Sequence, residues 1–96
     1  MANPFAAQTE LLILRLLSEE PKGMYGLELV KASDGKLRRG SVYVTLGRMQ
    51  EKGLVVERTT ADSVHSGLPR PQYRLTAHGQ KVLEAADLIG WSPARV

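Results

Sequence analysis

Apolar positions recur along the chain with helical spacing in four places and with strand-like character in two. Leu11, Leu12, Ile13, Leu14, Leu16 and Leu17 form an almost continuous apolar run broken by Arg15, as expected of a first helix buried on most sides. Thr9 offers a hydroxyl N-cap at its start, and Pro21-Lys22-Gly23 ends it, since proline disfavours helical geometry in the residue before it. A second helix is expected over about residues 25–32, with Leu27, Leu29 and Val30 turned inward and Asp34-Gly35 closing it as a turn. Leu37 then plugs the core from the connecting loop. In a third helix Val42, Leu46 and Met49 stand at i, i+4 and i+7, one apolar stripe, and Gly53 supplies a left-handed C-cap. The other side of that helix carries Ser41, Val44, Thr45, Arg48 and Lys52.

Beyond Gly53 the pattern changes. Residues 54–60 are rich in β-branched side chains and predict a strand, residues 61–69 are polar and punctuated by glycine and proline, and residues 72–75 predict the return strand. Thr76 caps a last helix over about residues 77–90, whose Val82, Leu83, Ala86, Leu88 and Ile89 face away from Gln80, Lys81, Glu84 and Asp87. Such a stripe on a terminal helix packs either on its own domain or on a second copy. The fold class that follows is mainly α with a small β-hairpin: a winged helix-turn-helix of three helices, a two-stranded wing and a C-terminal helix. Its parts are an N-terminal tail (1–8), the winged domain (9–76), the last helix (77–91) and a short tail (92–96).

Composition narrows the function less than the placement of charge does. The 96 residues make one domain, and the net charge of +3 would not single out a nucleic-acid binder. Yet between Lys36 and Arg58 lie six basic residues, namely Lys36, Arg38, Arg39, Arg48, Lys52 and Arg58, against Glu51 and Glu57. The excess therefore sits on the third helix and its approaches, where contact with phosphates needs it. With no cysteine there is neither a disulfide framework nor a thiolate metal site. No secretory leader and no run near the ~18 apolar residues of a membrane span is evident, so the expected location is cytoplasmic.

An amphipathic helix is the right width for the major groove of duplex DNA, which makes the polar side of the third helix the candidate reading surface. Ser41 is placed to bond a phosphate at the helix start, or to act as a plain N-cap. Tyr43 offers its hydroxyl to phosphate, or sits as a partly buried core residue. Val44 and Thr45 are candidates for base edges or a thymine methyl, and Arg48 for phosphate in competition with an ion pair to Glu51. Lys36, Arg38, Arg39 and Lys52 are expected on the DNA backbone. In the wing, Arg70 is the leading candidate for a minor-groove or phosphate contact, with His65 and Ser66 behind it, while Arg74 falls on the outer strand face. His65 and His78 have no acid or thiol spaced to share a metal with them. Neither a phosphate-cradling glycine loop nor a nucleophile elbow is present, so no cofactor and no catalysis are expected.

In order and spacing these segments resemble the PadR family of bacterial transcriptional regulators, over roughly residues 10–86. The resemblance rests on the leucine-rich first helix ending at Pro21, the Gly23-Met24-Tyr25-Gly26 turn, and Gly40-Ser41-Val42-Tyr43 followed by Leu46, Arg48 and Met49. Gly53-Leu54-Val55 and the wing exit Pro69-Arg70-Pro71-Gln72-Tyr73-Arg74-Leu75-Thr76, with Gly79 beyond, complete it. It implies a repressor that binds double-stranded DNA as a homodimer through the last helix, with Val82, Leu83, Ala86, Ile89 and Trp91 at the interface. It also raises a small aromatic effector near Trp91 and Ile89, although an ordinary interface tryptophan accounts for Trp91 as well. Two departures stand out. Val44 replaces a frequent proline, and Gly47 replaces a larger residue inside the third helix, suggesting either a close backbone approach there or no structural demand at all. A different class, a winged-helix module that binds protein and carries its basic face incidentally, is the alternative.

Overall fold

The computed structural model describes residues 8–61 and 69–89. Four helices pack around a small antiparallel sheet: α1 (Gln8–Ser18), β1 (Met24–Tyr25), α2 (Gly26–Ala32), α3 (Arg39–Glu51), β2 (Val55–Ala61), β3 (Pro69–Leu75) and α4 (Ala77–Leu88). The fold is the expected winged helix with one addition, because the sheet has three strands in the order β1-β3-β2. Met24 and Tyr25 pair with Tyr73 and Gln72. Two residues bordered by a glycine turn carry no readable strand period, which is why that edge escaped the sequence pattern.

The core is built where the apolar stripes converge. Leu11, Ile13, Leu14 and Leu17 of α1 meet Leu29 of α2, Val42, Leu46 and Met49 of α3, and Leu83 and Ala86 of α4, all buried. Leu37 joins them from the loop as expected. Within α2 Leu29 is buried and Val30 packs half-buried against the core as expected, whereas Leu27 is exposed; the helix begins at Gly26, because Tyr25 belongs to β1. Tyr25 is the N-cap, and its backbone N–H donates to Glu28 Oε1 at 2.7 Å. Thr9 is not a cap either: it lies inside α1, which already includes Gln8.

Two junctions fix α3 and α4 to this core. At the end of α3, Gly53 adopts φ 76°, and the N–H groups of Gly53 and Leu54 donate to the carbonyls of Gln50 and Met49, each at 2.9 Å. This Schellman arrangement satisfies helix-end carbonyls and sends Leu54 and Val55 into the core. At the start of α4, Thr76 Oγ1 donates to Gly53 O at 2.6 Å and accepts from Gly79 N at 2.9 Å, while Thr76 N donates to Leu54 O at 3.1 Å. One threonine thus caps α4 and ties it to the end of α3. The spacing left the α4 stripe open between its own domain and a second copy, and within this chain the first use is met. Val82, Leu83 and Ala86 are buried in the chain's own core, because α4 lies against α1, where Arg15 also pairs with Asp87. Leu88 and Ile89 are left exposed.

Candidate nucleic-acid interface

α3 is anchored on one side and bare on the other. Val42, Leu46 and Met49 are at most 1% exposed, so the helix cannot roll about its axis without opening the core. Its outward side presents Arg39, Gly40, Ser41, Tyr43, Val44 and Arg48 to solvent, with Thr45 half-buried. Val44 and Tyr43 are large apolar surfaces on this side, 57% and 45% exposed. A valine left this exposed gains little from folding. It fits a face made to meet something.

The helix start is electropositive by construction. Arg38 is the N-cap, in extended geometry (φ −107°, ψ 143°), and no side chain caps the helix. Ser41 is therefore a first-turn residue and not the cap; its amide and that of Val42 donate to Arg38 O at 3.2 and 2.9 Å, and the Arg39 and Gly40 amides have no hydrogen-bond partner among the described residues, open to an anion. Just before it, the buried Ser33 hydroxyl donates to Val30 O at 2.7 Å and accepts from Leu37 N at 2.9 Å. That pair, with left-handed Asp34 (φ 55°) and Gly35 (φ 88°), shapes the loop from which Lys36 and Arg38 project. Neither these two nor Arg39 and Arg48 form an ion pair with a described residue. In particular, Arg48 does not pair with Glu51, and its charge is uncommitted. Thr45 Oγ1 donates to Ser41 O at 3.1 Å, leaving its methyl group and oxygen lone pairs for a partner.

Lys52 is in a different position. Its ammonium lies 2.8 Å from Glu10 Oε1 and 3.1 Å from Oε2, and the Glu10 side chain is 3% exposed. A carboxylate so buried requires a cation, and Lys52 supplies it. The residue read as a DNA contact is thus first a strut between α1 and the end of α3. The signal in the sequence was Glu10 itself, an acid at the first turn of an otherwise apolar helix.

The wing is partly described. Arg70 lies in β3, paired in register with Thr60, and not in the loop before the strand. His65 and Ser66 in the wing, like Trp91 after α4, fall outside the described residues. Arg58 and Arg74 are exposed on the outer face of the sheet, the position expected for Arg74, while Val55 and Tyr73 point inward. Burial raises the Tyr73 phenol above its ordinary pKa of 10.0, with the Glu57 carboxylate and the Tyr43 phenol adding to the effect. The Tyr43 ring also lies against Gly26 at the start of the second helix. Among the described residues no cluster of His, Asp and Glu can hold a metal ion, and no helix is long and apolar enough to cross a membrane.

Comparison with known proteins agrees with this geometry. The model of the transcriptional regulator PadR-like family matches residues 13–85. A candidate transcriptional regulator from Thermoplasma acidophilum superposes with a TM-score of 0.73 at 29% identity, covering 83% of this chain and 77% of that one. A PadR family transcription regulator from Clostridium difficile gives 0.71 at 28% identity, covering 82% of each chain. Bacillus subtilis PadR, solved in complex with operator DNA, shares the fold with a TM-score of 0.67 at 23% identity, covering 80% of this chain and 45% of that one. No curated protein matches the chain.

Proposed function

Because the chain belongs to the PadR-like family of transcriptional regulators, we propose that it binds duplex DNA sequence-specifically by laying the outward side of α3 in the major groove. The observation that carries this reading is the charge of Arg38, Arg39 and Arg48, uncommitted among the described residues, around an uncapped helix start, next to an exposed valine and a half-buried threonine. Arg38, Arg39 and Lys36 meet the sugar-phosphate backbone and set affinity. The Ser41 hydroxyl and the Arg39 and Gly40 amides hold one phosphate, and Arg48 reaches another along the groove wall. Val44 and the Thr45 methyl read base edges, thymine methyls above all. Arg70 and the wing contact the flanking minor groove. The solved complex of Bacillus subtilis PadR with operator DNA supports this use of the shared fold.

The functional unit is a homodimer acting as a repressor in the cytoplasm, joined through the end of α4, where Leu88 and Ile89 stand exposed. Its two half-sites lie about one helical turn apart, since each protomer enters the groove from the same side of the duplex. The test is selection from randomised duplexes with binding measured at several salt concentrations, beside sedimentation of the free protein. A roughly palindromic site, a dimer and a steep salt slope are expected. Replacing Arg39 and Arg48 together by alanine removes two phosphate contacts and reduces that slope by about 1.8, at roughly 0.9 per contact. An unchanged slope, or binding without sequence preference, would refute the assignment and favour a protein partner for the same face.

A further inference from the structure

Gly26 has no backbone reason to be glycine. It opens α2 with ordinary helical geometry, unlike Gly23, Gly35 and Gly53, which all have positive φ. Its residue is nevertheless buried, and what covers it is Tyr43 of α3. A Cβ on Gly26 would stand 2.6 Å from Tyr43 Cε1, 2.7 Å from Cζ and 2.8 Å from the hydroxyl oxygen. The far end of the ring lies across bare backbone, in space that any side chain would fill.

We propose that Gly26 is a positioning residue for DNA binding, which seats the Tyr43 ring so that its hydroxyl is held at the edge of α3 as a phosphate donor. Tyr43 stands at the flank of the helix, one residue round from the buried Val42 and on the border of the outward side, so it meets the groove wall and not the base edges. Its hydroxyl has no hydrogen-bond partner among the described residues. The ring is fixed at one end by its own backbone on α3 and at the other by the glycine on α2. A donor held in place before binding loses less rotamer freedom when it bonds. Gly26 thereby gains a role in the reading surface although it lies in another helix.

The inference rests on the DNA-binding reading, and the experiment separates the two. Gly26→Ala, Tyr43→Phe and the double variant are compared with the unaltered chain on the selected duplex, with the Arg39/Arg48 double alanine variant as control for the groove contact. Loss of a hydrogen bond to phosphate in Tyr43→Phe lowers affinity about tenfold. Gly26→Ala lowers it to a similar level while the melting temperature stays near that of the unaltered chain, because the clash is with a ring tip that can swing away. The double variant is no weaker than the weaker single variant, and the introduced methyl group shows an unshifted proton resonance because no ring lies over it. Wild-type affinity in Gly26→Ala, multiplying losses in the double variant, or a strongly ring-shifted methyl resonance would each overturn the proposal. Should Gly26→Ala fail to fold, adding Tyr43→Ala must restore folding, and a failure to do so overturns it too. If the unaltered chain shows no specific binding, the DNA reading fails instead, and the methyl resonance still decides whether Gly26 seats the ring.

Discussion

Two glycines in helices make opposite predictions under the same substitution. Gly47 lies well inside α3, and a Cβ built there meets nothing within 4 Å. Alanine is therefore free to exert its helix preference, which stabilises by about 1 kcal/mol relative to glycine. For a domain of this size that is a rise in melting temperature of roughly 4–8 °C. Gly79, near the start of α4, has the reverse surroundings, since a Cβ there would lie 2.1 Å from Leu54 O and 3.0 Å from Leu75 Cδ1. The first of these is backbone, which no rotamer change can relieve, so α4 must slide off the β2 entry and disturb the Thr76 cap. Overpacking of this kind costs about 2 kcal/mol or more. Urea titration of both variants followed by circular dichroism gives the two signs directly. A destabilised Gly47→Ala protein would refute the argument, because it would mean that α3 touches something at residue 47. Duplex affinity of the same variant adds a second reading: Gly47 is one turn from Tyr43 on the outward side, so weaker binding by a more stable protein would place the DNA backbone against it.

Other residues give independent tests. Lys52→Ala removes the Lys52 ammonium from the buried Glu10 carboxylate and destabilises the fold by about 1–3 kcal/mol, discounted from a fully buried pair because Lys52 is half exposed. If the lysine were instead a phosphate contact, the DNA salt slope would fall by about 0.9 in that variant, whereas the strut predicts no change. Thr76→Val removes the α4 cap and the tie to Gly53, a loss of about 1–2 kcal/mol readable in thermal melts. Tyr73 makes stability fall at alkaline pH. The folded chain keeps the Tyr73 proton above 10.0 while the unfolded chain releases it there, so the stabilisation is complete below that value and is lost as the pH rises beyond it. Tyr73→Phe should flatten the alkaline limb of the stability curve, and an unchanged limb would reject Tyr73 as its source.

Regular spacing made most of the fold legible before any coordinates. Val42, Leu46 and Met49 marked the buried side of α3, Gly53 its end and Thr76 the start of α4, and each stands where a local rule puts it. What the pattern could not show was pairing between distant segments. β1 is two residues paired with β3, and Lys52 meets Glu10 across 42 positions. Both are long-range choices with no local period. The α4 stripe shows a further limit, since Val82, Leu83 and Ala86 would look the same in sequence whether they faced α1 or a second chain. Gly47 shows another. A glycine inside a helix signals either contact or freedom, and only the empty space around it decides between them.

The supports of α3 are unevenly distributed, and this bears on how the helix reads DNA. Its C-terminal half is held by the Schellman turn at Gly53, the Lys52–Glu10 strut and the Thr76 bond to Gly53. Its N-terminal end has no side-chain cap hydrogen bond and carries Arg38 and Arg39 without carboxylate partners among the described residues. The rigid end therefore fixes the direction of the helix, while the open end supplies charge that phosphate can satisfy and the protein does not. A variant at the rigid end should change specific and non-specific affinity unequally, because a tilted helix keeps its charges but misplaces Val44 and Thr45. A variant at the open end should lower both together. Comparing Lys52→Met with Arg39→Ala on a selected duplex and on a scrambled one distinguishes these behaviours. If both variants lost the same fraction on both duplexes, the strut would not control the setting of the helix, and orientation would have to come from the wing.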